Sequence, residues 1–278
     1  MGLFEVVVLA VVQAITEFLP ISSDGHLILV PTLAGWERFG LGFDVALHLG
    51  TLIATVIYFR RDVAALALGL FSREPERSKD RRLAWVLLAA TVPSVAVVLV
   101  LEAFVSGVES RPVNEQIVIS AWGLLVTTVL LVASEAISSL EKRRQAPSDD
   151  ASAISWPKAL AVGFAQGFAV LPGVSRSGTT IASAQALGIT RGEAARFSFL
   201  LSIPIISAAT AKKLLDVATG EESMPEPMLV IVGIAVTAVV GYAVIGLLLP
   251  FVRKHSLLWF AAYTSIAGIL LLAVYGPL

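Results

Sequence analysis

Five runs of apolar residues, each about as long as a membrane-spanning helix, divide this chain. They are bounded by charged residues, Pro or Gly and cover residues 43–59, 83–105, 117–140, 227–252 and 257–274. A helix needs about 20 apolar residues to cross the hydrocarbon core of a bilayer, which is about 30 Å thick. A sixth run, 197–215, follows Arg196 and contains Lys212 and Lys213, whose long side chains can reach the membrane interface. The pattern predicts a polytopic membrane protein with six transmembrane helices.

The composition agrees with this prediction and excludes several other classes. Hydrophobic residues make up 56% of the chain and charged residues 15%, with a mean hydropathy of +0.85. Soluble domains carry about 25% charged residues, so too few polar side chains remain here to cover a water-facing surface. The net charge of -1, without a basic stripe, excludes nucleic acid as a partner. The absence of cysteine excludes a disulfide scaffold and a cysteine nucleophile.

Two further apolar stretches, 3–31 and 160–187, are each interrupted near the centre by polar residues. The first interruption reads Pro20-Ile-Ser-Ser-Asp-Gly-His26, and the second reads Pro172-Gly-Val-Ser-Arg-Ser-Gly-Thr-Thr180. Irregular backbone survives at membrane depth only where protein buries it or where it lines a wet cavity. We therefore predict two re-entrant helical hairpins, each made of two half-length helices that meet at a polar turn. The predicted fold class is all-α, with six transmembrane helices and these two hairpins.

The positive residues are distributed unequally between the two predicted sides of the membrane. Of the 20 Lys and Arg residues, 13 fall in the connections 60–82, 141–158 and 253–254, and 4 fall in the opposite connections. Short cytoplasmic loops carry an excess of Lys and Arg. This rule places the 13-residue set in the cytoplasm, so that the first hairpin enters from outside and the second from inside.

Opposite entry of the two hairpins predicts an inverted repeat, because each hairpin precedes three spans. The first half covers 1–140 with its hairpin at 3–31, a cytoplasmic linker covers 141–156, and the second half covers 157–278 with its hairpin at 160–187. A weak internal sequence similarity supports the repeat, because the same residue types recur with the same spacing in both halves. The two sets are Gln13, Ser22 and Gly25, and Gln166, Ser175 and Gly178. In inverted repeats the polar site lies near the midplane, between the halves.

The first polar interruption brings together groups that can perform acid–base chemistry. An ionisable side chain at membrane depth costs about 2.5 to 3.5 kcal/mol on insertion scales, so each one is a candidate for function. Gln13 and Glu17 are four residues apart and share one face of a helix. Ser22, Ser23 and His26 follow the proline break. A carboxylate, two hydroxyls and an imidazole therefore converge within one hairpin.

The second interruption has the composition of an anion-binding loop. It combines one guanidinium, several hydroxyls and a Gly-rich backbone that leads into a helix: Gly173, Ser175, Arg176, Ser177, Gly178, Thr179 and Thr180. Helix N-termini bind anions, and Arg adds a bidentate fork that suits phosphate. The sequence is not a P-loop, because the required Lys-Ser/Thr ending is missing. Phosphate is the anion that this loop favours.

The motifs resemble those of a known family. The strings Gln13-Ala-Ile-Thr-Glu-Phe-Leu-Pro-Ile-Ser-Ser-Asp-Gly-His26 and Pro172-Gly-Val-Ser-Arg-Ser-Gly-Thr-Thr180 resemble the two signature motifs of the undecaprenyl-diphosphate phosphatases, the bacitracin-resistance family of bacterial membranes. The resemblance extends to residues 43–50 and 196–204, and the number of spans fits over nearly the whole chain. It implies hydrolysis of a C55 polyprenyl diphosphate to the monophosphate carrier lipid of cell-wall synthesis, in the bacterial inner membrane. The excess of Lys and Arg in one set of loops predicts that the site faces the outside.

Carried over by position, the resemblance implies catalytic roles for Glu17, Ser23, His26 and Arg176. The implied diphosphate-binding residues come from both interruptions: Ser22, Ser175, Arg176, Ser177, Thr179 and Thr180. It also implies a divalent cation, usually Mg²⁺, held by Glu17 and Gln13. Many members have a second glutamate at position 13, so Gln13 weakens the prediction that two carboxylates bind one metal ion. Asp24 stands where many members have a threonine. We favour Ser23 as the nucleophile over His26 and over water.

Simpler roles compete with these assignments. Ser22 and Asp24 are residue types that cap helices, and a helix follows them. Glu17 has an alternative as a structural ion-pair partner of Arg176. His48, which is isolated on an apolar helix, fits a hydrogen-bonded packing residue better than a ligand.

Other functions also compete with a phosphatase. Inverted repeats with broken helices are transporter architecture, so a transporter or flippase of a phosphorylated lipid is the main alternative. A structural membrane protein gives no reason to bury an acid, a histidine and an arginine. The expected partners are the polyprenyl diphosphate and membrane lipid. The sequence is compatible with both a monomer and a homo-oligomer.

Overall fold

The described part of the chain is all-α, as the sequence predicts. The computed structural model describes residues 2–37, 40–141, 154–219 and 226–276, and every regular element in these ranges is helical. The α-helices are α1 Leu3–Phe18, α2 Ser23–Ala34, α3 Leu41–Tyr58, α4 Arg60–Phe71, α5 Ser78–Glu109, α6 Val113–Glu141, α7 Trp156–Gly167, α8 Arg176–Ala186, α9 Arg191–Ala218, α10 Pro227–Lys254 and α11 Leu258–Tyr275. Short 3₁₀ turns lie at Pro75–Arg77 and Phe168–Val170. Arg38 and most of the predicted linker, residues 142–153, lie outside the described residues.

The predicted transmembrane spans all correspond to helices. Within the described ranges, five helices are long and apolar enough to cross a membrane: α5, α6, α9, α10 and α11. The remaining predicted span, 43–59, is α3, which is long and apolar enough only together with α4, into which it bends by 82° at Phe59. Large apolar side chains are exposed along these helices, as lipid-facing surfaces require. Examples are Val100, Val239, Leu247 and Val274, each more than 70% exposed.

The basic connection at 60–82 contains a helix that the sequence analysis did not predict. Helix α4 turns away from α3 and packs on α5. Its Val63 and Leu66 pack against the main hydrophobic core, and its Asp62 pairs with Arg196 of α9. The outer face of α4 ends in Phe71, which is exposed. This connection is therefore folded against the bundle.

Both predicted re-entrant hairpins are present as pairs of short helices. Helices α1 and α2 pack on each other across a turn at residues 19–22, and α7 and α8 pack on each other across residues 168–175. At 1.5 Å per residue, the 16 residues of α1 span only about 24 Å and the 12 residues of α7 about 18 Å. The bounds differ slightly from the predicted 3–31 and 160–187, because α2 continues to Ala34 and α7 already begins at Trp156. The last residue of the predicted linker is thus helical.

Long helices pack against both hairpins. Helix α1 packs along α10, and α7 packs along α5. Helix α6 packs on α2, α8 and α11, and therefore touches one helix of each hairpin. The inverted relation between the halves stays a prediction, although the pairings α1 with α10 and α7 with α5 are those that it requires.

Glycines make the closest of these helix contacts. A β-carbon added to Gly163 of α7 would lie 1.8 Å from the carbonyl oxygen of Ala90 in α5. One added to Gly123 of α6 would lie 2.1 Å from the carbonyl oxygen of Pro172, in the turn of the second hairpin. These separations are far below van der Waals contact. Backbone therefore packs directly on backbone, and the second turn is held firmly against α6.

We expect Gly123→Ala to destabilise the protein. The added methyl group must displace the turn at Pro172, and overpacking of this kind costs about 1 to 3 kcal/mol. The matched control is Gly107→Ala in α5, where a β-carbon has no neighbour within 4 Å in the described part of the chain. Thermal unfolding in detergent should show a lower melting temperature for Gly123→Ala and an unchanged or slightly higher one for Gly107→Ala. Equal melting temperatures would contradict the close contact.

Candidate active site

Glu17 is the centre of the polar site. It lies in the last turn of α1 and is almost completely buried. Its Oε2 accepts a hydrogen bond of 2.6 Å from the hydroxyl of Ser23 and one of 3.3 Å from the amide of Gln13. Gln13 reaches it because the two residues are one helical turn apart. Ser23 reaches it because the turn at 19–22 folds α2 back on α1.

Arg176 joins this carboxylate to the second hairpin. It is the first residue of α8, whose N-cap is Ser175: the Ser175 Oγ accepts a 3.0 Å bond from the Gly178 N–H. The Nη2 of Arg176 donates to Oε1 of Glu17. Its Nη1 is buried and, within the described part of the chain, has no hydrogen-bond partner. Among the described residues, one side of the guanidinium thus holds Glu17, and the other side keeps an unsatisfied donor.

The two polar turns meet directly. The Ser177 hydroxyl of the second hairpin donates to the carbonyl oxygen of Leu19 in the first, at 2.9 Å. A β-carbon on Gly25 would lie 3.9 Å from the Cα of Gly173 and 3.8 Å from the Cβ of Ser120. Gly173 has a φ of +82°, which favours glycine and allows its backbone to lie against α6. The predicted convergence of the two polar interruptions is therefore present in the structure.

The capping role considered for Ser22 is wrong. Ser22 occupies the N-cap position of α2, but its side chain makes no capping hydrogen bond. Its backbone has a φ of +70°, in the left-handed region that is costly for residues other than glycine. Its buried hydroxyl has no hydrogen-bond partner among the described residues. A strained backbone and an unpaired hydroxyl beside Gly25 are typical of a ligand-binding position.

The other predicted phosphate-binding hydroxyls bond within the protein. Thr179 donates to the Ser175 carbonyl oxygen at 2.8 Å, and Thr180 donates to that of Arg176 at 2.8 Å. Ser175 and Ser177 lie 3.1 Å apart, between their hydroxyl oxygens. These bonds shape the N-terminus of α8, where backbone N–H groups bind anions. Direct contacts of these four hydroxyls with a diphosphate stay predictions.

His26 lies near the site, but its ring is directed to other partners. Its Nδ1 lies 2.6 Å from the carbonyl oxygen of Ser22, which can only accept, so Nδ1 donates. Its Nε2 lies 2.6 Å from the hydroxyl of Tyr263 in α11. In a neutral ring Nε2 then accepts from the phenol. Neither ring nitrogen of His26 therefore bonds to Ser23 or Glu17 in the described structure. Nε2 must break its bond to Tyr263 before it can act on a substrate.

His48 is the site residue that the sequence analysis missed. Its Nδ1 donates to the carbonyl oxygen of Asp44, which agrees with the expected hydrogen-bonded residue. Its Nε2, however, lies 3.4 Å from Oε2 of Glu17 and 3.9 Å from Oδ1 of Asp24. The only sequence signal was that residues 43–50 belong to the stretch that resembles the family. The side chain of Asp24 is 48% exposed, whereas that of Glu17 is 5% exposed.

The site contains some of the oxygen ligands that a hard cation requires. In the described ranges, His, Asp and Glu residues do not form a group of three or more suited to a metal ion. Oxygen ligands are nevertheless present, because Oε1 of Gln13 is buried beside Glu17 and lacks a partner there. Mg²⁺ commonly uses one or two carboxylates together with substrate phosphates and water. Glu17 and Gln13 fit such a site if the substrate supplies further ligands.

The contacts define a class of protein: a polytopic membrane protein with a buried hydroxyl, carboxylate and guanidinium between two re-entrant hairpins. The comparisons with known proteins agree with this class. The family model described as bacitracin resistance protein BacA matches residues 6–270. The chain therefore belongs to this family.

Similar proteins come from several bacteria. An undecaprenyl-diphosphatase 2 of Stutzerimonas stutzeri is 39% identical over 277 residues, which is 99% of each chain. The undecaprenyl-diphosphatase of Trichlorobacter lovleyi is 40% identical over 282 residues, which cover 99% of this chain and 98% of the relative. That of Chloroherpeton thalassium is 38% identical over 283 residues, which cover 99% and 97%. The similarity thus covers both hairpins and all the spans.

We expect the charges of Glu17 and Arg176 to be energetically coupled. Removing one partner of a buried ion pair costs about 3 to 5 kcal/mol, because the other charge stays buried and unpaired. The double variant Glu17→Gln/Arg176→Met should therefore lose less stability than the two single losses combined. Equilibrium unfolding in detergent measures the three values, with Arg60→Met at an exposed position as the control. Additive losses would contradict a direct coupling.

Proposed function

We propose that the protein hydrolyses undecaprenyl diphosphate to undecaprenyl phosphate and inorganic phosphate. The observation that carries this proposal is the bond from the Ser23 hydroxyl to a carboxylate that is itself paired with Arg176. Binding a phosphate headgroup requires only hydrogen-bond donors, whereas hydrolysis requires a nucleophile and a base. Relatives of the same length are named for this activity. The activity recycles the carrier lipid of cell-wall synthesis and accounts for bacitracin resistance.

Arg176 binds the diphosphate in this mechanism. Its buried Nη1 has no hydrogen-bond partner in the described residues, and we expect an anion oxygen to supply one. The N–H groups at the start of α8 and the unpaired hydroxyl of Ser22 supply further donors. Phosphoryl transfer depends mainly on such positioning and on charge stabilisation. The diphosphate is thereby held beside Ser23.

Ser23 is the proposed nucleophile, and Glu17 is its base. The Ser23 proton passes along the 2.6 Å bond to Oε2 of Glu17 while Oγ forms a bond to the terminal phosphorus. The bond from that phosphorus to the bridging oxygen breaks, and the electron pair leaves with undecaprenyl phosphate. Protonation weakens the hold of Glu17 on Arg176, so the guanidinium is free to follow the developing charge.

Hydrolysis of the phosphoserine completes the cycle. Water attacks the phosphorus, inorganic phosphate forms, and the bond to Oγ breaks. Glu17 returns its proton to Ser23, and the water proton leaves with the phosphate. His26 attack and direct water attack are the alternatives. The geometry disfavours His26, because its Nε2 is bonded to Tyr263 and would have to turn from it.

A divalent cation, with Mg²⁺ preferred, is part of the proposal. Glu17 and Gln13 Oε1 would hold it together with substrate oxygens, and it would supply charge neutralisation at the phosphates. The half-exposed Asp24 carboxylate is a further oxygen, close to His48. Within this arrangement the chain's own residues still bind the anion and move the Ser23 proton.

We further propose that the two halves, 1–140 and 157–278, form an inverted repeat joined by a cytoplasmic linker at 141–156. The bacterial family supports a multi-pass protein of the inner membrane. The excess of Lys and Arg in one set of connections supports a site that opens to the outside. A homo-oligomer is compatible with this proposal, and the site needs no second copy.

Phosphate release by purified protein tests the function. We expect wild type to release phosphate from a polyprenyl diphosphate, and release should fall when a chelator removes divalent cations and return when Mg²⁺ is added. Ser23→Ala should lower the rate about 100-fold or more, because a nucleophile and its base act as a unit. Arg176→Ala should have a comparable effect, since it removes charge stabilisation.

The control for these variants is Ser139→Ala, an exposed hydroxyl on α6 that bonds to its own helix. It should leave the rate unchanged. A fully active Ser23→Ala would exclude Ser23 as nucleophile and favour water or His26. Equal and slow release by wild type and Arg176→Ala would exclude a catalytic site at this position and favour transport.

The orientation is tested separately in the cysteine-free chain. Ser110 and Ser78 are both exposed and lie at opposite ends of α5 and its flanking turns. An impermeant maleimide should label Ser110→Cys in intact cells, whereas Ser78→Cys should react only after permeabilisation. The reverse labelling pattern would place the opening of the site in the cytoplasm.

A further inference from the structure

His48 is a polar group of the site to which the proposed chemistry assigns no role. It lies on α3, whereas the nucleophile, base and anion-binding residue come from the two hairpins. Its position is firmly set: the neighbouring Leu47 is fully buried and, with Phe43, packs into a cluster with α1 and α2. Helix α3 also packs along α10 and α9. The imidazole is therefore presented from a helix that does not belong to either hairpin.

The hydrogen bond to Asp44 orients the ring. The Asp44 carbonyl oxygen lies 2.8 Å from Nδ1 and can only accept, so Nδ1 carries a proton and donates. This bond fixes the ring plane and directs Nε2 toward Oε2 of Glu17, at 3.4 Å, with Oδ1 of Asp24 at 3.9 Å. Contacts between catalytic groups are often long before substrate binds and shorten in the complex. In the imidazolium form, which carries a proton on each ring nitrogen, Nε2 donates to the carboxylate that serves Ser23.

Glu17 needs such a contact when substrate binds. Its Oε1 is held by Arg176, and its Oε2 is held by Ser23, Gln13 and His48. The terminal torsion of a glutamate is broad, so a carboxylate with one free oxygen rotates easily. When Arg176 shifts toward the diphosphate, the hold on Oε1 weakens. A donor on a separate, rigid helix then keeps Oε2 directed at Ser23.

We propose that His48 is a positioning residue, which holds the Glu17 carboxylate against the Ser23 hydroxyl from α3. The inference rests on the proposed function, because it gives His48 a role in phosphoryl transfer by Ser23. It acts through Glu17 and does not touch the substrate. Loss of this contact should lower the rate of the chemical step and leave substrate binding by the second hairpin nearly intact.

The test compares His48→Ala with His48→Gln by steady-state kinetics of phosphate release. Alanine removes the donor, and kcat should fall about 10- to 100-fold, the size expected for loss of a hydrogen bond to a charged group, while KM changes little. The glutamine amide restores a donor, so kcat of His48→Gln should recover to within about 3-fold of wild type. Thr55→Val is the matched control on α3, since the buried Thr55 hydroxyl bonds, among the residues described, only to its own helix. It should retain the kcat of wild type.

The outcomes separate the inference from the function on which it rests. If wild type releases no phosphate, the proposed function fails and the role of His48 fails with it. If wild type is active and His48→Ala keeps its kcat, only the positioning role is overturned. Equal loss of kcat in the alanine and glutamine variants also overturns it. A melting temperature within about 2 °C of wild type for the glutamine variant shows that the comparison concerns folded protein.

Discussion

The ion pair between Glu17 and Arg176 is the interaction on which the rest of the site depends. Each charge alone at membrane depth would cost several kcal/mol, and pairing together with further hydrogen bonds offsets part of that cost. The two residues lie on different hairpins, so the pair forms only if both polar turns reach the same place. The bond from Ser177 to Leu19 and the contacts of Gly173 with α6 then follow from the same convergence. Chemistry and folding thus share one requirement.

That requirement explains the use of half-length helices. A hairpin turn at membrane depth exposes backbone groups that lipid cannot satisfy, so surrounding protein must do so. Thr127 of α6 does this for the second turn by accepting the Ser175 N–H at 2.9 Å. Helix α6 also contacts α2 of the first hairpin. A long helix that crosses the bilayer therefore supports two elements that do not, and the space between their turns becomes a protected polar site.

The lengths of the apolar runs, together with the polar interruptions at 20–26 and 172–180, were sufficient to predict the spans and both hairpins. Each predicted span corresponds to a helix, because hydrophobic length at a fixed rise per residue leaves little choice in a bilayer. Helix α4 was not predicted, because its basic first residues resemble those of a loop. Its packing on α5 is a tertiary contact, which the sequence pattern of α4 does not show. The cap considered for Ser22 failed for a related reason. Residue type indicates that a hydroxyl can cap, but only the backbone torsions decide whether it does.

For the site, the sequence alone determined which groups are scarce and costly enough to require partners: Glu17, His26 and Arg176 among apolar neighbours. It also placed Gln13 on the face of Glu17, since helical spacing is local. The tertiary structure decided which partners they have. Glu17 pairs with Arg176 and accepts a hydrogen bond from Ser23, and His26 bonds to Tyr263. His48, on α3, lies beside the carboxylate of Glu17. Contacts between separate helices depend on how the bundle packs, and no local pattern in one helix encodes the position of another.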